Sequence, residues 1–234
     1  MELHLFNSLK KRITQLNLQS GQTINIYLCG PTVYDHIHIG NLRPVIIFDV
    51  LHRLLLHLNI KVNYIQNITD IDDKIISKAQ KEEKSEKEIS DYYTKTYLAN
   101  LIDYNILSPT HLPRVTNYIP QIQNFIISLL KNGSAYQQTE EVFFRVEENS
   151  EYGKLSGQNL TKLKEGTREI TQTKKENSHD FEFFAGQTID IHGGGNDLLF
   201  PHHENERIQY LAHNNQELSK IWLHIAHINY GKEK

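Results

Sequence analysis

The sequence predicts an α/β fold in which parallel strands alternate with helices. The apolar, β-prone residues 26–28 are followed by a Gly-Pro turn and then by apolar residues at helical spacing over residues 44–59. Residues 61–67 alternate and are rich in β-formers, so they are the next predicted strand. This order is a βαβ unit, whose long crossover connection makes its two strands parallel. A further strand is predicted at residues 188–191, ahead of a helix that starts near residue 201.

Length and composition favour a globular protein with a sizeable core. The chain has 234 residues, more than a usual single domain, and 38% of them are hydrophobic. No apolar run reaches the roughly 18 residues of a membrane helix. The first residues also lack the basic and then apolar pattern of a secretory signal. We therefore expect a cytoplasmic monomer that does not bind a membrane.

Charge and cysteine usage restrict the chemistry further. The net charge is −3, so any RNA binding must depend on a local basic surface. The densest positive residues lie in one polar stretch: Lys162, Lys164, Arg168, Lys174 and Lys175. We interpret this stretch as a solvated loop rather than a nucleic-acid contact. The single cysteine, Cys29, excludes an internal disulfide, so it is a free thiol, a metal ligand or a reactive group.

The first candidate site lies in residues 25–41, where a strand feeds a helix through a glycine-containing turn. Cys29 is at the carboxyl end of that strand, where open α/β sheets bind their ligands. A helix N-terminus in this position presents unpaired N–H groups to a phosphate. The residues around the helix start are His36, His38, Gly40 and Asn41. We expect them to lie beside the phosphates of a nucleotide.

Two interpretations remain open for residues 69–74. Their carboxylates could hold a cation, although neither the Gly nor the later Glu of a calcium loop is present at the required offset. Alternatively Thr69 or Asp70 caps a helix that continues through residue 78. We favour the helix cap, and we interpret the charged residues 79–90 as the solvated face of a helix.

The second candidate site lies in residues 192–206. Three successive glycines follow His192 and precede Asp197, and without a Cβ they let the backbone approach a ligand closely. A flexible turn is the alternative interpretation. The next helix starts near Pro201, and its residues His202 and Glu206 are four apart on one face. That spacing suits two ligands of one metal ion, whereas the alternative is a surface His–Glu pair.

Four strings of the sequence together closely resemble cysteinyl-tRNA synthetases, a branch of the class I aminoacyl-tRNA synthetases. They are CGPTVYDHIHIGNLRP (29–44), QNITDIDDKI (66–75), YGKLSGQNL (152–160) and DIHGGGNDLLFPHHENE (190–206). The resemblance covers about residues 21–231 and implies a Rossmann-type parallel-sheet catalytic core with an inserted connective α+β subdomain. We expect the first half of the core in residues 1–110, the connective insertion in residues 111–181 and the second half in residues 182–234.

The resemblance also implies a role for each matching residue. It implies that His38 and Asn41 are catalytic. It implies an ATP-binding set of His36, His38, Gly40, Asn41, Gly194 and Asp197, and a cysteine-binding set of Gly30, Thr69 and His192. It implies Zn²⁺ held by Cys29, His202 and Glu206. The fourth ligand in the family is a second cysteine, which this sequence does not contain.

The implied activity is the activation of L-cysteine by ATP with Mg²⁺ and its transfer to tRNA(Cys). Activity is expected to be impaired, because the chain runs directly from Phe181 to Glu182, where the family has a segment with a pocket tryptophan and the second cysteine. The family's Lys-Met-Ser-Lys-Ser loop and anticodon-reading domain would follow Lys234. Two alternatives remain open: a ligase that transfers cysteine to a small amine, and a non-catalytic remnant that binds a nucleotide or a metal.

Overall fold

The computed structural model describes residues 1–158 and 188–228. Its strands are β1 (Glu2–Asn7), β2 (Arg12–Asn17), β3 (Thr23–Leu28), β4 (Lys61–Gln66), β5 (Ala135–Gln138), β6 (Glu141–Phe144), β7 (Ile189–Gly195) and β8 (Ser219–Ile225). Its α-helices are α1 (Ile39–His57), α2 (Asp73–Glu82), α3 (Glu86–Asp103), α4 (Ile119–Lys131) and α5 (His202–Asn214). None of these helices combines the length and the apolar character needed to cross a membrane.

A four-stranded parallel sheet in the order β4-β3-β7-β8 forms the centre of the fold. This arrangement confirms the predicted α/β class. The two inner strands, β3 and β7, place Ile26 opposite Ile191, and both side chains are buried. The backbone N–H of Cys29 donates to the carbonyl of Gly193 at 3.0 Å. The candidate sites on β3 and β7 are therefore neighbours at the carboxyl ends of the two inner strands.

Helix α1 covers this sheet with a continuous apolar face. Its buried side chains recur at helical spacing and include Leu42, Val45, Phe48, Leu51 and Leu55. The ring of Phe48 occupies the space above Gly193, where a Cβ would lie 2.1 Å from the Phe48 Cζ. The helix starts at Ile39, where His38 caps it, next to the start expected around Gly40 and Asn41. The close contact between Phe48 and the sheet requires a glycine at position 193.

The predicted helix cap at Thr69 or Asp70 was wrong. Asp72 caps α2, and its Oδ1 accepts from the N–H of Lys74 at 2.8 Å. Thr69 remains extended because it forms a parallel β-bridge with Thr32. Asp70 instead accepts from both the N–H and the hydroxyl of Thr116. Tertiary contacts therefore override the local capping preference of these residues.

The charged residues 79–90 form parts of two helices rather than one helical face. Helix α2 ends at Glu83, which adopts a left-handed conformation with a φ of 54°. Ser85 then starts α3 through a capping box with Glu88.

Two antiparallel hairpins flank the central sheet. They are the N-terminal β1–β2 hairpin and the β5–β6 hairpin. At the end of β1, the Asn7 side chain donates to the carbonyl of Lys220 at 2.9 Å, and the N–H of Ser8 donates to that of Trp222 at 2.9 Å. The N-terminal hairpin is thereby attached to β8.

Candidate active site and metal cluster

Cys29 lies within a cluster of potential metal ligands at the carboxyl ends of β3 and β7. Its Sγ is 3.7 Å from His202 Nε2, 3.7 Å from Glu206 Oε1 and 3.0 Å from His203 Nε2. The ligand atoms of these four residues all lie within 4.8 Å of one another. The structure therefore brings the three predicted ligands together and adds His203, which was not predicted as a ligand.

The spacing and chemistry of this cluster fit a zinc ion. A tetrahedral zinc ion with Zn–S of about 2.3 Å and Zn–N or Zn–O of about 2.0–2.1 Å separates its ligand atoms by roughly 3.3–3.5 Å. Cys29 Sγ is 3.7 Å from the ligand atoms of His202 and Glu206, and His202 Nε2 is 2.9 Å from Glu206 Oε1. One thiol, imidazole nitrogens and a carboxylate are also the ligand types that zinc prefers in proteins.

His192 borders the cluster from β7. Its fully buried ring places Nε2 at 3.1 Å from Glu206 Oε2 and at 3.7 Å from Cys29 Sγ. Trp222, which is opposite His192 in the β7–β8 register, stacks on this ring with a centroid distance of 4.3 Å. Sequence reasoning did not connect Trp222 with the site, because only strand pairing brings it there.

A chain of contacts runs from the cluster to the N-terminal hairpin. His203 Nδ1 is 2.8 Å from His224 Nε2, and His224 Nδ1 is 2.8 Å from Ser8 Oγ. Burial, reinforced by the charge of His192, lowers the pKa of His203 well below its usual value. The same causes lower the pKa of His224 to about 3. Both rings are therefore neutral at pH 7, the form in which histidine binds metals.

A cavity of about 380 Å³ adjoins the cluster at the start of α1. The predicted site residues in its lining are Cys29, Gly30, His36, His38, Gly40, Asn41 and Asp197. The other predicted site residues are not part of this lining: Thr69, His192, Gly194, His202 and Glu206. Gly195 takes the place expected for Gly194.

His38 and Asn41 form the cap of α1. His38 Nδ1 accepts from the N–H of Gly40 at 3.1 Å, and Asn41 Oδ1 accepts from the N–H of His38 at 3.4 Å. When Nδ1 is an acceptor, the proton of the neutral imidazole is on Nε2. His38 can therefore cap the helix and donate a hydrogen bond to a ligand at the same time.

Comparison with known proteins identifies the family. A model described as the catalytic domain of class I (C) tRNA synthetases matches residues 15–187 and 182–234. The chain belongs to this family. The cysteine–tRNA ligases of Mesoplasma florum and Mycoplasma capricolum are 43% and 44% identical over 265 residues, which cover 99% of this chain and 59% of each relative. The chain thus spans about three fifths of their length.

A solved class I synthetase supports the fold independently. Methionyl-tRNA synthetase of Mycobacterium tuberculosis, in complex with methionyl-adenylate, superimposes with a TM-score of 0.65 over 88% of this chain and 57% of that chain. Because the sequence identity is 11%, this likeness establishes the fold alone.

The comparisons agree with the expectation that this chain lacks a family segment after Phe181. The aligned 265 residues exceed the 234 residues of the chain, so the relatives contain residues without a counterpart here. The two segments matched by the family model meet at residues 182–187, next to Phe181. This junction and the basic residues Lys162 to Lys175 lie outside the described residues.

Residues 151–156 of this synthetase-family chain anchor the first turn of α5. The N–H and the hydroxyl of Ser156 each donate to Glu204 Oε2 at 2.7 Å. The Tyr152 hydroxyl donates to Asn205 Oδ1 at 2.9 Å. The buried Arg207 guanidinium pairs with Glu217 and Glu151. These contacts surround the buried polar groups of α5 and fix the helix that carries His202, His203 and Glu206.

Proposed function

We propose that this chain activates cysteine with ATP to form cysteinyl-adenylate, which then acylates tRNA(Cys). The observation that carries this proposal is the position of the Cys29–His202–Glu206 cluster beside a cavity whose wall includes the N-terminus of α1. The partners of the protein would be Mg²⁺-bound ATP, L-cysteine and tRNA(Cys). The protein would act as a cytoplasmic monomer. Residues 111–181 would be the connective insertion between the two halves of the catalytic core.

Selection of cysteine would depend on the metal cluster. A bound zinc ion would supply a soft Lewis acid that prefers the substrate thiolate to the hydroxyl of serine. A pocket based on packing alone discriminates such close analogues by roughly 100-fold. His192, for which the resemblance implies a role in cysteine binding, lies between the cluster and Trp222 and contacts Glu206 Oε2 at 3.1 Å. Gly30 and Thr69 would form the other side of the cysteine site.

The activation step requires positioning rather than an enzyme nucleophile. A carboxylate oxygen of cysteine would attack the α-phosphorus of ATP, and pyrophosphate would leave. His38 Nε2–H and the backbone N–H groups of α1 would stabilise the negative charge on the phosphates. Asn41 would keep His38 oriented through their capping contact. His36, Gly40 and Asp197 would complete the ATP site, with Gly195 in the place expected for Gly194.

Cysteine-dependent ATP–pyrophosphate exchange tests this proposal, with serine in parallel and zinc supplied. We expect exchange with cysteine and none with serine. His202→Gln should lower the exchange strongly, whereas His57→Gln, at an exposed position on α1, should not change it.

The same assay separates the alternatives. Circular dichroism shows whether the protein is folded. If folded protein shows no ATP–pyrophosphate exchange, catalysis by this chain is overturned and a non-catalytic remnant is favoured. If exchange occurs, transfer of labelled cysteine to tRNA(Cys) supports the synthetase activity. Transfer to an aminosugar instead would identify a ligase that acts on a small amine.

A further inference from the structure

We propose that His203 is the fourth ligand of the metal ion, in the role for which the family resemblance expects a second cysteine. This inference rests on the metal site of the proposed function and adds a ligand to it, so the substrate thiolate would bind as a fifth ligand. The chain contains a single cysteine, so neither the described nor the remaining residues can supply a second thiolate. A fourth protein ligand must therefore be of another type.

His203 has the position that this role requires. Its Nε2 is 3.0 Å from Cys29 Sγ and belongs to the group of four ligand atoms within 4.8 Å of one another. Its side chain is fully buried, so a metal ion would not have to displace bulk water from the ring. The ring also packs on Gly194, where an added Cβ would lie 3.0 Å from Cε1.

The second nitrogen of His203 is held in the way that is typical of metal-binding histidines. Such histidines usually use their other ring nitrogen for a hydrogen bond that fixes the ring orientation. His203 Nδ1 contacts His224 Nε2 at 2.8 Å, and His224 in turn contacts Ser8 Oγ at 2.8 Å. These two contacts orient the ring so that Nε2 of His203 points towards Cys29, where a ligand nitrogen is needed.

His192 is the competing candidate for the fourth ligand. Its Nε2 is 3.7 Å from Cys29 Sγ and 3.1 Å from the second carboxylate oxygen of Glu206. His192 is not one of the four residues whose ligand atoms all lie within 4.8 Å of one another. Stacking on Trp222 holds the ring in that orientation. His192 therefore lies outside the group of four ligand atoms, while His203 Nε2 belongs to it.

Cobalt substitution tests the assignment on the full chain without any substrate. Co²⁺ is titrated alone, its visible d–d absorption reports four-coordinate geometry, and competition with a chelator gives the affinity. We expect His203→Gln to weaken binding by at least about 100-fold, beyond the effect of losing an outer-shell partner, and to reduce the d–d absorption. The exposed control His57→Gln should retain the affinity and spectrum. His192→Gln, which loses a contact with Glu206, should weaken binding less than His203→Gln does and should retain the four-coordinate absorption.

A replacement that restores a sulfur ligand makes the test two-sided. His203→Cys should bind Co²⁺ and raise the sulfur-to-cobalt charge-transfer absorption about two-fold, because two thiolates then contact the ion. The proposal is overturned if His203→Gln keeps the wild-type affinity and spectrum, if the loss appears in His192→Gln instead, or if folded His203→Cys gains no charge-transfer absorption. Should His203→Gln not fold, His203→Cys decides alone. Metal binding without pyrophosphate exchange would contradict the proposed function but leave this inference intact.

Discussion

Gly30 and Gly193 occupy positions at the carboxyl ends of β3 and β7 where a side chain would collide with its surroundings. A Cβ on Gly30 would lie 1.7 Å from the carbonyl oxygen of Asn67, and one on Gly193 would lie 2.6 Å from that of Leu223. Backbone atoms cannot move aside as a flexible side chain can. These glycines therefore set how closely the strands and loops around the site approach one another.

Gly30→Ala is expected to lower the free energy of unfolding by about 3 kcal/mol, because the methyl group displaces the Asn67 backbone. Urea unfolding measures this change. Gly21→Ala is the control, because Gly21 has open space around it but a φ of 80°. Its backbone strain should cost about 1–2 kcal/mol. Equal effects of the two substitutions would contradict the role of the close contact at Gly30.

The ionisation of His52 on α1 predicts a dependence of stability on pH. Burial lowers the pKa of His52 below its usual 6.5, although Asp49 opposes this and Arg53 reinforces it. The unfolded chain therefore takes up this proton at a higher pH than the folded protein does. Stability is fully present above pH 6.5 and decreases as the pH falls towards the folded-state pKa.

Replacement of His52 by Gln should remove up to one proton, or about 1.4 kcal/mol per pH unit, from this dependence in the range below pH 6.5. Unfolding midpoints in urea at several pH values measure the slope. His57→Gln, at an exposed position, should leave the slope unchanged. An unaltered slope in His52→Gln would show that other groups account for the acid sensitivity.

At the scale of the element, the start of α1 combines a structural and a proposed chemical role in one residue. His38 uses Nδ1 to cap the helix, so its proposed contact with phosphate depends on Nε2. Asparagine also caps helices well but has no group equivalent to Nε2–H. The two roles can therefore be separated by the choice of substitution.

His38→Asn should retain the stability of the wild type but lower pyrophosphate exchange by about 100-fold, as expected for loss of one donor to developing charge. His38→Ala should lose a similar activity and in addition about 1 kcal/mol of stability. Thermal unfolding and exchange assays on both variants test this separation. Full activity in His38→Asn would mean that His38 acts only as a cap.

The elements differ in how far sequence alone could predict them. The apolar spacing along α1 and the i, i+4 pair of His202 and Glu206 are local patterns, so they gave the correct helix face and two correct members of the cluster. The cap of α2 was wrong because Thr69 pairs with Thr32, a contact that lies outside any local pattern.

The rest of the site could not be predicted because it depends on strand order. Trp222 reaches His192 only through the β7–β8 register, and His224 reaches His203 only because β8 ends beside α5. Ser8 joins them because the N-terminal hairpin contacts β8. No sequence spacing relates these four segments.

At the scale of the whole molecule, the cluster joins parts of the chain that are far apart in sequence. Cys29 follows β3, while His202, His203 and Glu206 belong to α5. An ion bound to all four would bind the folded protein but not the unfolded chain at this geometry. Metal binding should therefore stabilise the whole fold by mass action.

Zinc at about 100 times its dissociation constant should add about 2.7 kcal/mol of stability, which corresponds to a rise in Tm of roughly 5–10 °C for a chain of this size. Thermal unfolding with zinc and with a chelator measures the difference. Cys29→Ser should abolish most of the zinc-dependent shift. A Tm that is independent of zinc in the wild type would contradict metal binding by the cluster.

The strand order also has a consequence for the protein during its synthesis. Ile26 on β3 must wait for Ile191 on β7 to leave the ribosome before the centre of the sheet can close. We infer that the β3–α1–β4 unit forms first on the nascent chain, with one edge of β3 open to non-native pairing. Protease digestion of stalled nascent chains tests this order, since β3 should become resistant only after β7 has emerged. A chain that assembles in this order exposes one edge of β3 for as long as the ribosome takes to synthesise the residues between β4 and β7.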